Sequence, residues 1–212
     1  RFHEHESPPC ISRNDSLPAQ LRFSPLPGFC EHIEGVELAS GYGIDVEGDG
    51  YHELVLLGRQ VAWLQRFHPV PQRIDLLALS DDPEHAVCNA GALIQDDLDL
   101  DGRIDLIIGC QEFYGEGASI THKNLALRQT ETGEFEVMER AANLSPEEPS
   151  VFDDDGSTLA MARLDVDRDG LPDLLVANDT FSSLGVPGVS EPSFTTERTT
   201  GAYYRRCSPL QD

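Results

Sequence analysis

Leu164-Asp165-Val166-Asp167-Arg168-Asp169-Gly170-Leu171-Pro172-Asp173-Leu174-Leu175-Val176 is the stretch that decides the fold, because it occurs three times. A second copy runs Asp97-Leu98-Asp99-Leu100-Asp101-Gly102-Arg103-Ile104-Asp105-Leu106-Ile107-Ile108-Gly109. The remaining copy, with two acids lengthened to Glu, runs Asp45-Val46-Glu47-Gly48-Asp49-Gly50-Tyr51-His52-Glu53-Leu54-Val55-Leu56. All fit D-x-[DE]-x-D-G-x-x-[DE] followed by an apolar run, and they begin 52 and 68 residues apart. Self-similarity on this scale is the mark of a repeat architecture, one supersecondary unit per copy.

A hard divalent cation explains these residue types at this spacing. Calcium takes six to eight oxygens at about 2.3–2.6 Å. Carboxylates at loop positions 1, 3, 5 and 9 converge if the chain turns sharply, and the Gly at position 6 permits the turn. The expected side-chain ligands are Asp97, Asp99, Asp101 and Asp105; Asp165, Asp167, Asp169 and Asp173; and Asp45, Glu47, Asp49 and Glu53, with Arg103, Leu171 and Tyr51 giving backbone carbonyls at position 7. Without a counter-ion four such carboxylates repel one another, so packing alone does not account for the cluster. Two calcium sites, in the second and third loops, are expected, with a third in the first loop.

Position 12 rules out an EF-hand. That motif needs a bidentate Glu there, whereas the chain has Leu56, Ile108 and Val176 inside apolar runs that read as strands. Residues 36–44, 86–95 and 158–164, before the loops, are strand-like as well. Each unit is therefore strand, calcium loop, strand, at a spacing suited to one blade of a β-propeller.

These segments resemble FG-GAP repeats, also called VCBS repeats, the calcium-binding blades of integrin alpha-subunit propellers and many bacterial surface proteins. Residues 157–181, with their Ala177-Asn178-Asp179-Thr180-Phe181 ending, are especially similar to the cartilage-acidic-protein branch. The resemblance covers roughly residues 36–181. It implies an all-β fold of four-stranded antiparallel blades, with calcium in the loop joining the first two strands of each. The first loop, and residues 185–212, depart from the family pattern.

The expected organisation is a proline-rich extended arm (1–35), blade 1 (36–85), blade 2 (86–142), a surface linker (143–156), and blade 3 with an irregular C-terminal segment (157–212). Outer strands are expected at 60–67 and 74–80, around a proline-bearing turn at 68–72. Further ones are expected at 125–129 and 134–139, around a hairpin connection at 130–133, and at 202–206. Trp63, Phe67, Phe113 and Tyr114 read as core aromatics, and His3, Glu4, His5 and Glu6 as a polar tail.

Composition narrows the partners. In 212 residues, 38 Asp and Glu against 15 Lys and Arg leave a net charge of −23, with Lys123 the only lysine. Nucleic acid is excluded, since phosphate binding needs clustered cations. No apolar run reaches the ~20 residues of a membrane span. Five cysteines without a C-x-x-C pair point to disulfides. Cys10 is expected to pair with Cys30, and Cys88 with Cys110 across the strands around the second loop, leaving Cys207 free or intermolecular.

Catalytic signatures are missing: there is no G-x-S-x-G elbow, no phosphate-binding glycine loop and no H-E-x-x-H, His52-Glu53 being followed at that place by Leu56. Asp153, Asp154 and Asp155 read as a solvated turn, not as acid–base groups. The expectation is a secreted, periplasmic or cell-surface calcium-binding module for protein or glycan, with no catalytic residues. The alternatives are a structural subunit of a larger surface assembly and, below that, a fragment of a propeller-bearing hydrolase or lyase. Because propellers close with four to eight blades, three blades call for another chain, or a further segment, to complete or cover the ring.

Overall fold

A computed structural model describes residues 12–14, 20, 23–25, 36–99, 101–111, 113–115, 118–120, 123–138, 157–165, 168, 173–179 and 201–204. Two compact units divide the chain, Arg1–Leu38 and Ala39–Asp212. In the first, β1 (Ser12–Asn14) and β2 (Phe23–Pro25) pair antiparallel, with Asn14 opposite Phe23. The arm is thus not wholly extended. Pro25 lies in a two-stranded ladder, where each strand is an edge, the setting in which a strand tolerates proline.

Each acidic loop reverses the chain, and the strand leaving it pairs with the strand entering it. Sheet I is the meander β3 (Leu38–Ile44), β4 (Glu53–Gly58), β5 (Val61–Arg66) and β6 (Gln72–Asp75). A short helix α1 (Pro83–Ala86) leads into sheet II, which begins with β7 (Asn89–Asp96) and β8 (Asp105–Gln111). Next come β9 (Phe113–Gly115) and β10 (Ala118–Ile120), an antiparallel pair of their own, and sheet II resumes with β11 (Leu125–Gln129) and β12 (Phe135–Val137). Its spatial order is β12-β11-β8-β7. Sheet III holds β13 (Ser157–Leu164), β14 (Asp173–Asp179) and β15 (Gly201–Tyr204), in that order. The fold is therefore all-β and antiparallel, and no helix among the described residues is long and apolar enough to cross a membrane.

The repeat extends to register. Asp96 faces Asp105 at the mouth of the second loop as Leu164 faces Asp173 at the third, and the ladders slip at matching places, between Ala90 and Ala92 and between Thr158 and Ala160. A bulge of this kind re-aims the strand and adds twist.

Residues 106–110 of β8 are apolar on both faces because both faces are covered. Leu106, Ile108 and Cys110 enter one core with Val55, Leu57, Ala62 and Leu64 of sheet I. Ile107 and Gly109 lie on the opposite face, where Gly109 meets Thr158 and Met161 of β13. The hydrophobic effect, at about 25 cal/mol per Å² of apolar surface removed from water, favours this stacking of sheets. The Cys88 and Cys110 sulfurs are bonded, with Cα atoms 5.3 Å apart, which joins the approach to β7 to β8. Beside this bridge, Asn124 Oδ1 accepts hydrogen bonds from Cys110 N at 3.1 Å and Thr158 Oγ1 at 2.9 Å.

Several expectations need correction. The strand expected at 74–80 is β6, ending at Asp75, followed by a 3-10 turn Leu77–Leu79. Asp75 Oδ1 accepts from Leu77 N at 3.1 Å, an Asx-type cap that turns the chain out of the ladder. The strand expected from 86 starts at Asn89, because Asp82 caps α1 through Glu84 N at 2.9 Å with Pro83 in its first turn. Phe67 is exposed rather than core, and Trp63 is half-buried, with the Arg73 guanidinium 4.4 Å from its ring centre. The hairpin connection at 130–133 is present, closed by Thr130 N to Glu134 O at 2.8 Å. The expected strand at 202–206 corresponds to β15, beside β14. The linker 143–156, the tail at His3 to Glu6, Cys10, Cys30, Cys207 and the side chains of Phe113 and Tyr114 lie outside what is described.

Candidate metal centre

The second loop gathers its acids. Carboxylate oxygens of Asp97, Asp99 and Asp105 lie within 4.8 Å of one another. Asp97 holds the turn: Oδ1 accepts from Asp101 N and Oδ2 from Gly102 N, each at 3.0 Å. Gly102, at φ 89°, takes the left-handed conformation that position 6 requires. Asp105 starts β8 and is fixed from two sides, Oδ2 accepting from Leu98 N and Oδ1 from Gln129 N, both at 2.9 Å. Asp101 turns aside instead. Its Oδ1 accepts from Arg103 N at 2.9 Å and its Oδ2 pairs with the Arg103 guanidinium, so the arginine at position 7 competes with any cation for the acid at position 5. Arg128 adds positive charge at the rim, 3.9 Å from Asp99 Oδ2 and hydrogen-bonded to Glu136.

The first loop repeats this frame. Asp45 accepts from Asp49 N at 3.1 Å and Gly50 N at 3.0 Å, with Gly50 at φ 85°, and Asp49 Oδ1 accepts from Tyr51 N at 2.8 Å. Glu53 Oε2 accepts from Val46 N at 2.9 Å, the same bond that Asp105 makes with Leu98. Its acids, however, are not drawn to one point. Glu47 faces Arg66 at 3.7 Å, and Arg66 also donates to Gly133 O. Tyr51 stacks on His68, ring centres 4.7 Å apart. In the third loop Asp167, Asp169 and Leu171 lie outside the described residues. Arg168 stands at φ 63°, matching Gly48 at φ 68° in the first loop, so position 4 turns left-handed in both.

Burial marks position 9 in all three loops. Glu53, Asp105 and Asp173 are 3%, 0% and 2% exposed, although each carries a formal charge. Burial pushes the Asp105 carboxyl above the usual carboxylate range; the N–H groups of Gln129 and Leu98 oppose this, and the charges of Asp99 and Asp101 add to it. An anion in a dry site beside further carboxylates fits a hard cation, and the donor set is all oxygen, as calcium or magnesium chemistry needs. A cleft of about 410 Å³ separates the first two loops beside the β11–β12 turn, with Glu47, Arg103 and Thr132 on its walls.

Sequence reading gave Arg103 only a backbone-carbonyl role and did not name Arg66. Arg103 and Arg66 turn their acids away from the point of convergence, and only the fold brings Arg66, from β5, onto the first loop. Compared with protein-family models and with curated proteins, the chain matches none.

Proposed function

We propose that this chain is a calcium-binding β-propeller module of the FG-GAP type, working in an oxidising compartment outside the cytosol or at the cell surface, where it binds protein or glycan. The observation that carries this reading is the convergence of Asp97, Asp99 and Asp105 in the loop joining the first two strands of a four-stranded antiparallel meander. Asp97, Asp99 and Asp105 would hold the ion, and by repetition so would Asp165 and Asp173. The ion supplies positive charge and fixes the loop; the chain's own residues orient the acids through backbone N–H groups. Consecutive packing of the sheets, β7 against β4 and β13 against β7 and β8, supports a blade-like array. The Cys88–Cys110 bridge supports the compartment.

Elemental analysis and thermal melting with calcium or chelator test the reading. Two calcium ions per chain and a melting temperature lowered by chelator are expected, since an ion bound only by the folded state stabilises it by mass action. No bound calcium, and melting unchanged by chelator, would refute it.

A structural-subunit role rests on a separate observation. Leu175 and Ala177 occupy in β14 the places of Ile107 and Gly109 in β8, the face on which sheet II receives sheet III. On sheet III, Leu159, Leu164 and Leu175 are 48%, 38% and 41% exposed. Apolar residues repeated in register and left in water favour a further sheet against them. Native mass spectrometry should show a complex; a 23 kDa monomer at micromolar concentration would reject this role.

A further inference from the structure

The geometry points to Gln129 as a positioning residue that couples the first acidic loop to the second, so that a cation held by the second loop also orders the first. This rests on the calcium reading above. Gln129 ends β11, is buried, and directs all its polar groups at the two loops. Its backbone N donates to Asp105 Oδ1 at 2.9 Å and its backbone O accepts from Arg103 Nε at 3.0 Å. The side chain spans the loops: Oε1 accepts from Ile104 N at 3.3 Å, and Nε2 donates to Val46 O at 3.2 Å. On the far side of Val46, its own N–H donates to Glu53 Oε2 at 2.9 Å. A continuous run of buried hydrogen bonds therefore leads from the acid at position 9 of the second loop to that of the first.

The physical consequence concerns where cation binding is felt. A cation drawing on Asp105 also fixes the residues bonded to it, Leu98 and Gln129. A buried amide has few alternative partners, so a held Gln129 holds Val46 in turn. Coupling between two sites through such an element is commonly worth five- to 150-fold, about tenfold being a fair expectation here. The side chain and the backbone of Gln129 have separable parts. Only the side chain reaches the first loop, while the backbone N–H on Asp105 survives any substitution other than proline. Removing the amide should thus uncouple the loops and leave the second able to bind.

Amide hydrogen exchange of the full chain, in calcium and in chelator, tests this. In the wild type, calcium should slow exchange at Leu98, Asp101 and Gly102, and by about tenfold at Val46, Asp49 and Gly50 of the first loop. Gln129→Met keeps the length of the side chain and removes both of its hydrogen bonds; the second loop should still respond and the first should change by less than about twofold. Should that variant not fold, Gln129→Glu serves, since it accepts from Ile104 N but cannot donate to Val46 O. Asp99→Ala, which removes a ligand of the second loop, should abolish the response of both. A first loop that still responds in Asp99→Ala binds its own ion, and that result overturns the coupling, as does a first-loop response that survives Gln129→Met or is absent from the wild type. In each case a responding second loop leaves the calcium reading standing. No response at the second loop of the wild type overturns both.

Discussion

Gly109→Ala tests the stacking of sheet III on sheet II with the smallest possible change. A Cβ at Gly109 would stand 2.6 Å from Thr158 Cγ2 and 3.1 Å from both Ala92 Cβ and Met161 Cε. Met161 can swing away. Thr158 cannot turn freely, because its Oγ1 donates to Asn124 Oδ1 at 2.9 Å in a buried site. Either β13 moves, at an overpacking cost of about 1–3 kcal/mol, or Thr158 rotates and loses a hydrogen bond worth about 1 kcal/mol. Against this stands the lower conformational entropy of alanine in the unfolded chain, about 0.5–1 kcal/mol. The net loss is about 1 kcal/mol, which for a chain of this size lowers Tm by roughly 2–4 °C. Thr158→Ser removes the offending methyl and keeps the hydroxyl, so the double variant should recover most of the loss, a coupling that a double-mutant cycle of thermal melts reads directly. A Gly109→Ala protein as stable as the wild type, or one that Thr158→Ser does not rescue, would show that the two sheets do not meet as described.

Three further outcomes follow from other parts of the molecule. Asp105→Ala should abolish the stabilisation by calcium at the second loop, about 2.7 kcal/mol at a hundredfold excess over Kd; in chelator the change should be smaller, because two lost backbone hydrogen bonds are offset by relief of repulsion with neighbouring acids, and melts in both buffers check this. Replacing Cys88 and Cys110 together by Ala removes a cross-link between residues 22 apart and should cost about 3 kcal/mol, measured by chemical denaturation. His85 is held below the ordinary histidine pKa chiefly by burial, against the opposing pull of Asp82, and its Nδ1 lies 2.7 Å from Ser80 Oγ. The unfolded chain therefore takes up a proton that the folded one refuses, so this contribution is present above the ordinary histidine range and is lost as pH falls through it and on toward the lowered folded value. His85→Gln should reduce the drop in Tm between about pH 7.5 and pH 5.5 relative to the wild type.

Local chemistry made much of the architecture legible. D-x-[DE]-x-D-G-x-x-[DE] specifies a tight turn by itself, since Asp97 and Asp45 each accept from backbone N–H groups four and five residues away, and the apolar runs behind each loop specify buried strands. The same locality made the Cys88–Cys110 bridge readable, since Cys88 immediately precedes β7 and Cys110 lies in β8, its hydrogen-bonded partner. What depended on distant residues was not readable. Arg66 reaches Glu47 only once β5 is laid into sheet I, and Gln129 spans two loops across 83 residues only once sheets I and II are packed. Gly109 illustrates the same division: in the sequence it is a glycine inside an apolar run, and only the arrival of Thr158 from another sheet makes its missing Cβ a requirement. Turn geometry and strand period are set within a few residues of chain, whereas the direction in which a buried acid or amide points is set by whichever partner the tertiary fold brings to it.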